Sequence, residues 1–253
     1  MNIMIVTGAS SGIGREFARY ADGRYRGIDE IWLIARRKEA LDSLANSLKT
    51  PCKIFAMDLT DRDAISRLSD ILAIASPRIR ILINAAGLGY LGRCDSIPLD
   101  DQRHEIDLNA IALTEITTIC LPYMHKGSRV IQMASAAAFL PQPKFAVYAA
   151  TKAYVLFYSK ALAEEVRKKG IYITSVCPGP VDTPFFDLAE KYAASPVLKN
   201  LFRISPEKVV RCAFHASKSR KSVCVPGFFM KIFHISCKML PHALFMPILR
   251  RSL

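Results

Sequence analysis

The sequence predicts an α/β fold: a seven-stranded parallel sheet, doubly wound by helices on both faces. Three observations predict it. Seven short apolar runs recur along the chain, separated by stretches with helical periodicity. The runs lack strict polar alternation, as strands buried on both faces do. No internal repeat, low-complexity linker or boundary interrupts the pattern before about residue 226. One domain over residues 1–226 is expected, followed by a tail over residues 227–253. A length of 253 residues suits a single α/β domain, and 51% apolar residues supply a large core.

The elements follow in order. Ile3–Val6 is the first strand; nothing before it resembles the basic, apolar start of a secretory signal. A glycine turn and a helix from about Arg15 come next. Ile31–Ala35 is the second strand and Lys38–Leu48 the second helix. Lys53–Met57 is the third strand. Thr60 with Asp63 resembles a capping box opening a helix to about Ala75. Arg80–Ile83 is the fourth strand, ending at Asn84-Ala85-Ala86-Gly87. A long helix is expected over about Gln102–His125. Arg129–Met133 is the fifth strand, ending beside Ser135. A helix over about Tyr148–Lys168 leads to the sixth strand, Ile171–Val176, which Pro178-Gly179-Pro180 ends. Ser205 as N-cap with Pro206 behind it opens a helix toward Ser217. Ser222–Val225 is the seventh strand.

Gly8, Gly12 and Gly14 join the first strand to the first helix. Glycine permits the tight turn and close approach of backbone to a pyrophosphate. The helix start adds free N–H groups and a positive dipole end. Gly8, Ser10, Ser11, Gly12, Ile13 and Gly14 are therefore expected to cradle a dinucleotide in a Rossmann-like fold, although the spacing differs from G-x-G-x-x-G. At the end of the second strand, an NAD site would place an acid on the ribose 2′-hydroxyl. This chain has Ala35-Arg36-Arg37 and no acid before Glu39. Guanidinium groups suit a 2′-phosphate. The expected cofactor is NADP(H), held by Arg36 first and Arg37 second. The competing reading makes both arginines solvated charges at a helix start.

Tyr148 and Lys152 stand four residues apart, one helical turn, and Ser135 precedes the tyrosine by thirteen. A free phenol has a pKa near ~10, and an adjacent ammonium favours the phenolate. Tyr148 can then donate a proton to a carbonyl oxygen or remove one from an alcohol. Ser135 follows a strand at the carboxyl edge of the sheet, where open α/β folds bind ligands. Its hydroxyl can hold the substrate oxygen near Tyr148.

With these motifs in order, residues 3–190 resemble the short-chain dehydrogenase/reductase family, in its single-domain branch of about 250 residues. The resemblance rests on Thr7–Gly14, Asp58-Leu59, Asn84-Ala85-Ala86-Gly87, Asn109, Ser135, Tyr148-x-x-x-Lys152 and Pro178–Pro184. It implies that Lys152 also binds the nicotinamide ribose and that Asn109 supports a water-linked proton relay to Lys152. It implies that Thr183, with Pro178, Gly179 and Val181, holds the nicotinamide side. Asp58 and Leu59 would flank the adenine, and Asn84, Ala85 and Gly87 would line the cleft. It implies hydride transfer between NADP(H) and a carbonyl or alcohol, and a homodimer or homotetramer through the two long helices.

After Thr183 the chain leaves the family pattern. Residues 184–204 are expected to form a helical lid. Phe185, Phe186, Leu188, Tyr192, Val197 and Leu198 either line an apolar pocket or pack the lid down. Phe139 and Gln142, and less directly Leu140, Leu88 and Tyr90, are further substrate candidates. No charge clamp stands out, which favours a neutral, apolar substrate. Residues 199–253 hold eleven Lys or Arg and one acid, Glu207, so this segment carries +10 of the chain's +13. That concentration argues against a nucleic-acid partner for the whole chain. In the tail, Lys231, His234, Lys238 and His242 would share one helical face amid apolar residues. Prolines 226, 241 and 247 interrupt it too often for a membrane span. Three roles compete: covering its own subunit, an interface between subunits, or peripheral contact with an anionic membrane face. The seven cysteines, unpatterned, read as reduced thiols of a cytoplasmic protein, and the five histidines form no metal set. The alternative to an enzyme is a non-catalytic NADP(H)-binding sensor or membrane-associated scaffold.

Overall fold

The computed structural model describes residues 1–25, 27–194 and 203–247. Seven parallel strands form one sheet in the order β3-β2-β1-β4-β5-β6-β7. They are β1 Asn2–Thr7, β2 Glu30–Ala35, β3 Cys52–Ala56, β4 Arg78–Asn84, β5 Met124–Met133, β6 Tyr172–Val176 and β7 Val223–Cys224. The chain builds outward from β1 to β3, then returns to lay β4 against the other side of β1. That reversal opens a crevice at the carboxyl ends of β1 and β4, where Thr7 pairs with Asn84.

The missing polar alternation has a direct cause. Met4 and Val6 of β1, with Ile31 and Leu33 of β2, face one core. That core is shared with α1 (Gly12–Ala21) and α2 (Lys38–Asn46). Ile3, Ile5, Trp32 and Ile34 face the opposite core, against α3 (Arg62–Ala75). Both sets are essentially inaccessible, and each large side chain buried this way stabilises the fold by roughly 2 kcal/mol.

The expected Gln102–His125 helix is α4 (Leu99–Ile106), a wide π-turn over Asp107–Ala112, and α5 (Leu113–Cys120). Pro122 ends it in a short 3₁₀ turn, and β5 begins at once at Met124. The α3 cap is also not the expected one. Asp61 accepts from the Asp63 N–H, while the Thr60 hydroxyl donates to Asp58. A helix α6 spans Ala146–Glu165, and Gly170, at φ +70°, closes the turn after it. Beyond the sheet come α7 (Phe185–Ala189), α8 (Pro206–Lys218) and α9 (Phe228–Met239). Ser205 caps α8 as its sequence suggests, accepting from the Lys208 N–H.

The tail helix α9 corrects the expected basic face. His234 turns inward and stacks on Phe139, with ring centroids 4.3 Å apart. Met230, Phe233 and Cys237 join it against the body of the domain. The outward face is apolar instead: Phe228, Ile232, Ile235 and Met239 are exposed, with Lys231 and Lys238 beside them. His242 lies beyond Pro241 in a separate turn. Among the described residues, no helix is long and apolar enough to cross a membrane.

Candidate active site

A cavity of about 750 Å³ occupies the crevice. Gly8, Ser10, Ser11, Gly12, Ile13 and Gly14 form one wall. Gly8 and Gly12 have φ of +68° and +53°, which side chains resist. A Cβ on Gly12 would press on Thr183 across the cleft at 3.3 Å. Ser11 caps α1 without a side-chain hydrogen bond, so first-turn amides remain free for an anion. The Thr7 hydroxyl accepts from the Ala85 and Ala86 N–H groups and ties the turn to the end of β4. A backbone cradle that side chains would fill, with free amides, fits a dinucleotide phosphate.

Arg36 and Arg37 both line the cavity at the end of β2. Arg37 donates to Ser10 Oγ at 3.2 Å, which places its guanidinium over the glycine turn. Arg36 stands 3.7 Å from Asp58. Asp58 and Leu59, and Ala85 and Gly87, line the same space.

Ser135, Tyr148 and Lys152 come together at the far end, with Pro178, Gly179, Val181 and Thr183 beside them. The Tyr148 phenol is hydrogen-bonded to Ser135. Its ring is stacked on Phe145 at 4.2 Å and flanked by Phe185 at 5.5 Å. Lys152 Nζ donates to the Met133 carbonyl at 3.0 Å and lies 5.5 Å from the tyrosine ring centre. One expectation changes here. Burial pushes the Tyr148 phenol up, opposed by the Ser135 hydrogen bond. Burial likewise lowers Lys152 to about 8, with Glu105 pulling it back up. In the protein alone, desolvation outweighs the mutual tuning that the i,i+4 spacing suggests.

Six residues named from the sequence do not line the cavity: Asn84, Asn109 and Phe139, and the less direct candidates Leu140, Tyr90 and Tyr192. Asn84 is buried and donates to Thr117 and Gln132, tying β4 to its neighbours. Asn109, in the π-turn, accepts from the Leu88 N–H at 3.0 Å and donates to the Leu88 carbonyl and Thr151 Oγ1. It stands behind Gly87: a Cβ there would meet Asn109 Oδ1 at 2.9 Å and Lys152 Nζ at 3.1 Å. Phe139 packs under α9 rather than facing substrate, because the tail helix covers it.

Gln142, Phe185, Phe186, Leu188 and Leu88 do line the cavity. Tyr90 and Tyr192 instead pack on each other, with centroids 5.8 Å apart. Val197 and Leu198 lie outside the described residues. The segment after Pro184 is anchored: the Leu91 N–H donates to the Ala189 carbonyl at 2.7 Å, and Lys191 pairs with Asp101 at 2.9 Å.

Sequence reasoning missed several contributors. Met230 and Phe233 of α9 reach into the cavity wall; a Cβ on Gly179 would meet Met230 Sδ at 2.8 Å. Gly89 leaves room for Tyr148, since a Cβ there would meet its ring at 2.5 Å. Glu105, on α4, is a buried acid near Lys152. Only the glycine, two residues past Asn84–Gly87, carried a local signal.

The short chain dehydrogenase family profile matches residues 2–193. The chain is 32% identical to sulfoacetaldehyde reductase 2 of Chromohalobacter salexigens, over 73% of this chain and 74% of that protein. It is 29% identical to the human very-long-chain 3-oxoacyl-CoA reductase, over 83% of this chain and 66% of that one. Among solved structures, a short-chain dehydrogenase from Sphingobium yanoikuyae in complex with NADPH superposes with a TM-score of 0.78. It is 28% identical and covers 89% of this chain and 87% of its own.

Proposed function

The chain belongs to the short-chain dehydrogenase family, and from that premise we propose that it is an NADPH-dependent carbonyl reductase or alcohol dehydrogenase with Tyr148 as general acid/base. One observation carries the proposal: Ser135, Tyr148 and Lys152 converge on the cavity that the free amides of α1 enter. The nicotinamide cofactor, when bound, supplies or accepts the hydride. Ser135 orients the substrate oxygen. Tyr148 gives that oxygen its proton in reduction and takes the alcohol's proton in oxidation. Lys152 holds the ribose and returns a proton to Tyr148, while Asn109 braces the relay from behind Gly87.

Arg36 and Arg37, which line the cavity at the end of β2, support NADP(H). Phe185, Phe186, Leu188, Met230 and Phe233 line the substrate end, which favours a neutral, apolar carbonyl compound. The long-chain acyl reductase among the relatives is compatible with such a wall. We place the outward face of α9 on an anionic lipid surface. Its exposed Phe228, Ile232, Ile235 and Met239 flank two lysines, and no acid occurs from residue 226 to the end. The exposed Ile111 and Phe157 on the long helices support a homodimer or homotetramer.

The test is Tyr148→Phe. Turnover across a carbonyl panel, followed by NADPH absorbance, is expected to fall by about 10²–10⁴. Unchanged turnover would remove Tyr148 from the chemistry. Tight NADPH binding by the wild type with no turnover across the panel would favour a non-catalytic sensor.

A further inference from the structure

One buried carboxyl group is not used by the chemistry above. Glu105 sits in the last turn of α4 with 1% of its surface exposed. It accepts from the Tyr90 N–H, and its Oε1 has no hydrogen-bond partner among the described residues. An incompletely satisfied buried carboxylate is costly. A glutamine would keep the bond to Tyr90 without the charge, so packing alone does not account for an acid here.

The neighbours explain it. Asn109 stands one turn further along, in the π-turn that continues α4, and Gly87 lies against both Asn109 and Lys152. The charges of Glu105 and Lys152 act on each other, each favouring the other's ionised form. We propose that Glu105 is a positioning residue for the proton chemistry, its buried carboxyl giving up its own proton as the medium turns alkaline and so holding the one on Lys152 behind Tyr148. The inference rests on Tyr148 being the proton donor. In reduction, the Tyr148 O–H bond breaks and its proton goes to the substrate oxygen. The phenolate takes a proton from the Lys152 ammonium, and solvent reprotonates the amine. On the alkaline side, where its carboxyl is ionised, Glu105 favours the ammonium before and after each turnover.

The other titratable groups facing this pair are Tyr148 on α6, Tyr90 after β4 and Cys177 after β6. Burial raises all three, the thiol to about 12. Lys152 and Glu105, each at about 8, are left to titrate near neutrality.

The experiment compares full-length wild type, Glu105→Gln, Glu105→Asp and Tyr148→Phe by kcat/KM against pH, with NADPH affinity and Tm alongside. Glu105→Gln is expected to bind NADPH normally and to lose the alkaline limb about one pH unit earlier. A shift of that size lowers kcat/KM roughly fivefold at pH 8. Glu105→Asp, which keeps the charge, is expected to hold the wild-type limb. If the glutamine variant does not fold, Glu105→Leu reads the same limb. An unmoved limb in the neutral variant, or equal losses in the Gln and Asp variants at every pH, would overturn the assignment. Turnover surviving Tyr148→Phe would instead overturn the proton-donor reading beneath it.

Discussion

Gly8 and Ala86 meet backbone to backbone at the carboxyl edge of the sheet. A Cβ on Gly8 would lie 2.7 Å from the Ala86 nitrogen. The contact joins the β1–α1 turn to the end of β4, the two strand ends that open the crevice. Thr7 reinforces it by accepting from both Ala85 and Ala86.

Gly8→Ala is therefore expected to fail twice, through its φ of +68° and through this contact. The cost is about 2 kcal/mol or more, with NADPH affinity reduced because the cradle widens. A urea midpoint and a fluorescence titration read both effects. A wild-type midpoint would show that the turn accommodates a methyl group.

Arg36→Asp addresses cofactor choice. Replacing a charge-assisted contact with a repelling acid is expected to weaken NADPH at least about tenfold. NADH, which lacks the 2′-phosphate, is expected to change little. Arg37→Ala is expected to show a similar preference, since Arg37 already reaches Ser10 at 3.2 Å. Equal effects on the two cofactors would remove either arginine from the phosphate site.

Stability should vary with pH through the buried pair. The folded Glu105 carboxyl keeps its proton to about 8, against an ordinary 4.5. Between those values the native state binds the extra proton, so this contribution is full below 4.5 and is lost as pH rises to 8. Lys152 runs the other way, with a folded value of about 8 below its ordinary 10.5. Its cost is present at low pH and is relieved as pH rises from 8 to 10.5. Denaturation midpoints should thus reach a minimum near pH 8, with a slope of up to about 1.4 kcal/mol per pH unit on the acid side. Glu105→Gln is expected to flatten that acid-side slope; identical slopes in both proteins would rule out the carboxyl as its source.

For the tail, Phe228→Ser with Ile232→Ser removes outward apolar surface and leaves the inward Met230 and Phe233 in place. Co-sedimentation with anionic vesicles is expected to fall at least several-fold, while neutral vesicles bind the wild type weakly. If the double variant changes sedimentation velocity instead and lipid binding stays level, the face joins two copies of the chain.

Much of this was readable in the sequence. The seven strands were legible because their apolar runs are continuous, and burial on both faces leaves that mark in local sequence. The glycine turn and the Ser135–Tyr148–Lys152 set were legible because each depends on residues near in sequence. The π-turn that carries Asn109 left no such mark, and neither did the early end of the long helix, although Pro122 explains it afterwards.

The sequence by itself determined the doubly wound α/β sheet, the family, and which residues could move a proton. Only tertiary structure decided which way side chains face on helices whose two sides read alike. His234 turns onto Phe139, Met230 and Phe233 enter the cavity wall, and Glu105 is buried where it accepts from the Tyr90 N–H. Helical periodicity assigns residues to faces, but what packs against a face is set by distant chain, and burial there fixes both orientation and charge.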